Sequence, residues 1–171
     1  FEITPKEITI SLGNVDEKIV YSGVAYLVGY ATNYQTVDGQ FVGSDSINVK
    51  VKYTDQSGNY ISPVNAGSYN VVFDDFEMAS GLKSNYLIEC EADGKLTITK
   101  KEITGKVKDA SKVYDGKELV ASELENIVGL LSGHEILPKF TGSIKDYNAT
   151  GVEAKLDIDN TIIVNKLGED V

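Results

Sequence analysis

Apolar and polar residues alternate along several short stretches of this chain. Ile47, Val49, Val51 and Tyr53 are interleaved with Asn48, Lys50 and Lys52. Tyr69, Val71 and Phe73 run with Asn70 and Asp74, and Tyr86, Ile88 and Cys90 run with Leu87, Glu89 and Glu91. Nearer the end, Ala154, Leu156 and Ile158 alternate with Lys155, Asp157 and Asp159. A period of two places one row of side chains on a core and the other in water, so each stretch predicts a half-buried strand. Glycine turns punctuate them at Asp38-Gly39, Ser57-Gly58-Asn59, Ala66-Gly67, Asp93-Gly94 and Asp115-Gly116. Only residues 122–131 have helical spacing, through Leu124, Ile127, Val128 and Leu131, with Ser122 as N-cap and Glu125 as its capping-box partner.

The pattern repeats. Ile3-Thr4-Pro5-Lys6-Glu7-Ile8-Thr9 returns 95 residues later as Ile98-Thr99-Lys100-Lys101-Glu102-Ile103-Thr104. Val20-Tyr21-Ser22-Gly23 returns as Val113-Tyr114-Asp115-Gly116, and Asn65-Ala66-Gly67 has a weaker partner in Asn148-Ala149-Thr150-Gly151. The shrinking offset implies shorter loops in a second copy. Two units follow, 1–100 and 101–171. Apolar parity changes at their junction: Leu96 and Ile98 are even, Ile103 and Val107 odd. An extended chain that switches its inward face must kink, bulge or change sheets between Lys100 and Lys101. Phe1-Glu2-Ile3 aligns with Leu96-Thr97-Ile98, and nothing after Val164 resembles the first unit's Gly94-to-Lys100 ending. The second unit is therefore expected to be truncated before its last strand, leaving a raw sheet edge or borrowing a strand from a neighbour.

Taken in order, Val113-Tyr114-Asp115-Gly116, Ala66-Gly67-Ser68-Tyr69, Asn85-Tyr86-Leu87-Ile88 and Gly94-Lys95-Leu96-Thr97-Ile98-Thr99-Lys100 resemble the MBG and YDG repeats. Those are small bacterial extracellular modules arrayed in tandem within adhesins and other surface proteins. Ser22 departs from the Asp usual at its position. The resemblance implies an extracellular β-type repeat and no catalytic residues. Many short strands between glycine turns suit two tandem small β-sandwich domains of immunoglobulin-like architecture. The short helix keeps β-grasp-like units as the alternative.

Charge narrows the partners. With 26 acidic and 16 basic residues the net charge is −10, and every cation is a lysine. Such a chain repels phosphate backbones and has no guanidinium forks for reading bases, which argues against nucleic acid. No run approaches the roughly 18 apolar residues of a membrane helix, so insertion by this segment is not expected. The opening residues carry no signal-peptide pattern, so an exported parent would hold its targeting signal elsewhere. Cys90 is alone, and its inward parity predicts a small core residue rather than a reactive thiol. The one histidine, His134, follows Gly133 in a turn and is expected to be exposed.

Two constellations could carry function. Asp74, Asp75 and Glu77 cluster as candidate calcium ligands, although their spacing is neither that of an EF-hand nor of a calcium-binding β-roll. Tyr26, Tyr30, Tyr34 and Tyr60 lie outside the apparent core parity and could stack on a sugar or face a protein. Tyr21 and Tyr114 belong to the repeated motif and read as structural. No histidine-centred pair or triad segment appears, and no cofactor is implied. The expectation is a non-enzymatic spacer of a bacterial surface or secreted adhesin, partnered by neighbouring repeats of its own polypeptide. The alternative is a module that binds glycan or host surface protein through an exposed Tyr-rich strand face.

Overall fold

Alternation does produce strands. The computed structural model describes every residue except Val28, Thr32 and Ala149. It is all-β, with one 3-10 turn at Lys83–Asn85 among the described residues. The chain divides into two compact units, Phe1–Lys100 and Lys101–Val171.

The first unit holds β1 (Lys6–Ser11), β2 (Asp16–Val20), β3 (Gly29–Tyr30), β4 (Gln35–Asp38), β5 (Ser46–Thr54), β6 (Tyr60–Ile61), β7 (Gly67–Ser80), β8 (Tyr86–Cys90) and β9 (Gly94–Thr99). One sheet has the order β4-β1-β8 and the other β2-β9-β7-β5-β3, with β6 also paired to β5. Two pairings are parallel, β1 with β8 and β2 with β9. Both sheets turn their apolar rows onto a single core. Ile8 and Ile10 of β1 and Ile88 of β8 meet Val49 and Val51 of β5, Val71 of β7, and Leu96 and Ile98 of β9. Tyr53 and Tyr86 are buried, as their parity predicted. The Tyr86 hydroxyl donates to Asp45 at 2.7 Å and accepts the Val42 N–H at 3.0 Å, so this phenol is buried without losing its hydrogen bonds. Tyr69 and Cys90 are half-buried and pack against the same core. Strand β9 is central: Leu96 is 0% and Ile98 3% exposed, and it is hydrogen-bonded on one side to β2 and on the other to β7.

The second unit holds β10 (Thr104–Val107), β11 (Leu119–Val120), β12 (Leu124–Val128), β13 (Glu135–Leu137), β14 (Phe140–Thr141), β15 (Ser143–Ile144), β16 (Lys155–Leu156) and β17 (Ile162–Val164). They form four two-stranded ribbons: β10-β12, β11-β15, β13-β17 and β14-β16. Of its described hydrophobic residues only Ala121 and Val164 are buried.

The two units share their pairing. In the first, Thr9 faces Asp38 and Ser11 faces Gln35 across a bulge. In the second, Thr104 faces Val128 and Lys106 faces Glu125 across a bulge at the same place. A positive-φ glycine follows each pair, Gly39 at 77° and Gly129 at 92°, tight against the carbonyls of Glu7 and Glu102 respectively. The correspondence extends further. Gly29 opposite Val51 matches Leu119 opposite Ile144, and Ile47 opposite Met78 matches Phe140 opposite Leu156.

Three expectations need correction. Residues 122–131 are not helical: Leu124–Val128 is strand β12, and Asn126 sits at φ 54°, which a helix does not accommodate. Pairing to β10 outweighs the helical spacing, and the β-grasp alternative loses the helix it rested on. The Ala154-to-Asp159 run is strand only at Lys155–Leu156, and Ile158 is exposed in a turn. There Asp157 accepts from the Asn160 backbone and side chain, so local Asx chemistry replaces the ladder. His134 is half-buried, its N–H donating to the Leu131 carbonyl. The parity change at Lys100 and Lys101 appears as a change of sheet, since β9 ends at Thr99 and β10 joins a different ribbon.

Candidate functional site

The outward row of β5 organises the only face where the candidate residues gather among those described. Asn48, Lys50 and Lys52 point away from the core because Ile47, Val49 and Val51 point into it. On one edge of β5, Tyr30 of β3 pairs opposite Lys50 and Tyr60 of β6 pairs opposite Thr54. Four residues of extended chain separate those positions, or about 13 Å. Both tyrosines are exposed, Tyr30 by 51% and Tyr60 by 66%. On the other edge lies β7, bulged between the partners of Lys50 and Val51. The bulge brings Asp74, Asp75 and Glu77 alongside the lysine row.

Each carboxylate has a cation. Lys50 Nζ lies 2.5 Å from Glu77, Lys52 Nζ 2.7 Å from Asp74 and Lys83 Nζ 2.6 Å from Asp75. Glu77 also accepts the Tyr30 hydroxyl at 2.7 Å, and Lys52 sits 4.0 Å from the centre of the Tyr60 ring. The hydrogen bond from Lys50, reinforced by Tyr30, holds the Glu77 carboxyl below its ordinary range, and Lys83 does the same for Asp75. Conversely, Glu77 raises Lys50 and Tyr30, and Asp74 followed by Tyr60 raises Lys52. The three acids are thus spread along an ion-paired ladder rather than converged on one point. No group of three or more acidic, histidine or cysteine side chains among the described residues is placed to hold a metal.

The four tyrosines separate into two pairs. Tyr26 and Tyr34 are half-buried against the core, and Tyr34 donates to the Ile47 carbonyl at 3.4 Å. Burial raises the Tyr34 phenol. These two are structural in position, leaving Tyr30 and Tyr60 as the accessible rings. Tyr60 also walls a hollow of about 660 Å³ with Asn70, Val72, Phe73, Glu89 and Asp93. Sequence reasoning had passed over Lys50, Lys52 and Lys83. Their signal was present, since lysines in the polar row of a strand face acids on the strand paired to it. Cys90 borders the same hollow, and burial pushes its thiol up.

Among the motif tyrosines, Tyr21 is half-buried and its N–H donates to the Thr99 carbonyl, whereas Tyr114 is exposed. Ala149, within the second Asn-Ala turn, lies outside the described residues.

No family model matches the chain, and no characterised protein or solved structure matches it.

Proposed function

We propose that this chain is a non-enzymatic structural repeat, a spacer segment of a bacterial surface or secreted adhesin, of the kind the MBG and YDG repeats represent. The observation that carries the reading is the shared bulged pair, Thr9–Asp38 and Thr104–Val128, each followed by its positive-φ glycine. One backbone solution used twice in a row is the hallmark of a module multiplied for length. The ion-paired ladder supports it, because carboxylates neutralised by lysines are poor acids, bases and metal ligands. In this reading the first unit is a small β-sandwich, its two parallel pairs setting it apart from a purely antiparallel immunoglobulin arrangement.

The second reading is a binding module for glycan or host surface protein. The exposed rings of Tyr30 and Tyr60, and the polar hollow beside Tyr60, favour it. Glycan arrays and matrix-protein binding assays decide between the two. A spacer gives no signal above that of an unrelated acidic domain. Reproducible binding that disappears in Tyr60→Ala or Tyr30→Ala would replace the spacer reading with the second.

A further inference from the structure

In the first unit, β8 ends the sheet ordered β4-β1-β8, so one of its edges pairs with β1 and the other is free. Tyr86 to Cys90 stand in register with Lys6 to Ile10 without a bulge. In a parallel ladder the N–H and C=O of one residue point to the same neighbour, and those of the next residue point away. The Glu91 N–H donates to the Ile10 carbonyl at 3.0 Å, so the same alternation turns Leu87 and Glu89 toward β1. The main-chain groups of Ile88 and Cys90 therefore face the free edge. They make no hydrogen bond to another described residue.

Other edges of this unit are blunted. β4 is bulged against β1, β2 carries Lys18, and β3 and β6 are two residues each. Where β7 runs on past its pairing with β9, Lys83 donates to the Phe76 carbonyl at 2.8 Å. β8 holds no lysine, proline or bulge.

A hollow adjoins that strand. Ile88, Glu89 and Cys90 line the space of about 660 Å³ beside Tyr60, together with Val72 and Phe73 of β7 and with Asp93. That volume is within the range of pockets that receive a ligand. Its lining is apolar at Phe73, Ile88 and Cys90, which pack on the core. Its charge is of one sign, carried by Glu89 and Asp93. Unlike the acids of β7, neither of these, nor Glu91 between them in the chain, has an ion-pair partner among the described residues.

We propose that the free edge of β8 receives an extended basic segment of another protein, which adds to the sheet alongside β8. Ile88 and Cys90 supply its main-chain partners. Apolar side chains at alternate positions of the segment enter the hollow, and lysines or arginines between them lie beside Glu89 and Asp93. The uncompensated acids select the sign of the partner's charge. The site does not use the Tyr30 ring, and a spacer carries it as readily as a binding module.

Hydrogen exchange of the full chain, followed by NMR with a synthetic peptide of alternating valine and lysine, tests this. Exchange at the Ile88 and Cys90 amides should slow as the peptide saturates, whereas Leu87 and Glu89, already bonded to β1, should change little. The same peptide N-methylated throughout keeps its charge but cannot form the ladder, and should give no protection. A peptide of alternating valine and glutamate should not bind. Glu89→Lys, at an exposed position, should weaken the basic peptide about tenfold with the melting temperature unchanged, and Tyr30→Ala should leave binding as it was. Binding without protection at Ile88 and Cys90, or equal binding of the N-methylated peptide, overturns the proposal, because the attraction is then charge alone. Binding unaltered by Glu89→Lys overturns it as well. Protection at Ile88 and Cys90 that grows with the concentration of the chain alone would make the occupant a second copy and overturn the basic partner.

Discussion

Replacing Leu96 with alanine tests whether β9 is the keystone of the first unit. Leu96 is fully buried and lies between β2 and β7, with Val49, Val71 and Ile98 in the same core. The substitution removes three buried carbon groups at about 0.8 kcal/mol each, or about 2.4 kcal/mol of transfer free energy. A central strand held on both edges cannot collapse onto the void, and the residual cavity brings the total to about 3–5 kcal/mol. For a unit of this size that corresponds to a fall in melting temperature of at least about 12 °C. Differential scanning calorimetry, with urea unfolding followed by tyrosine fluorescence, measures both quantities. Leu87→Ala is the control, because Leu87 is 48% exposed on β8 of the other sheet and should cost less than about 1 kcal/mol. Equal losses in the two variants, or a loss under 1 kcal/mol at Leu96, would refute the assignment of β9 as the core strand.

Other outcomes follow from the same structure. An alanine Cβ at Gly39 would lie 2.7 Å from the Glu7 carbonyl at a φ of 77°, so Gly39→Ala should destabilise the first unit by about 1–3 kcal/mol in urea melts. Gly129→Ala should abolish hydrogen-exchange protection in β10 and β12 while leaving the first unit's melt unchanged. Glu77 and Asp75 are held below their ordinary pKa in the folded state, so their contribution is present at neutral pH and is lost as pH falls below the ordinary carboxylate range and through their lowered folded values. The urea midpoint should therefore drop in acid, less steeply in Lys50→Gln and less in high salt, where exposed pairs are screened. A Lys50→Gln chain with the full acid loss would remove Glu77 from that account. Cys90 should react with a disulfide reagent at pH 7 more slowly than free cysteine, because burial raises its pKa; an equal rate would place the thiol in open solvent.

How legible the fold was depended on which force fixed each element. Ile47 to Tyr53 alternated cleanly because β5 is a long central strand with one wet face, and there the pattern and the structure agree. Residues 124–128 misled because Leu124, Ile127 and Val128 satisfy a helical spacing by chance, while the deciding facts were non-local: the partner strand β10 and the bulge that tips Asn126 to positive φ. Ile158 misled for the opposite reason, a local one. The Asp157-to-Asn160 Asx turn captures the backbone before a ladder can. For the candidate site, parity identified Tyr53 and Tyr86 as buried, but it could not rank Tyr26 and Tyr34 against Tyr30 and Tyr60. Those four occupy short strands and loops where no alternation exists to be read. The acids of β7 were visible, yet their meaning lay in lysines that come next to them only through sheet pairing and a bulge.

The parallel pairing at the two ends of the first unit also bears on how it would carry load. Tension applied between Lys6 and Thr99 enters at the first residue of β1 and leaves at the last residue of β9. Since β1 runs parallel to β8 and β2 parallel to β9, each over five residue pairs, such a pull slides neighbouring strands lengthwise. Hydrogen bonds perpendicular to the force then share it and must rupture together, whereas an antiparallel terminal hairpin would peel open one rung at a time. The unit is wired as a clamp in shear, and its resistance to stretching should exceed what its modest size suggests.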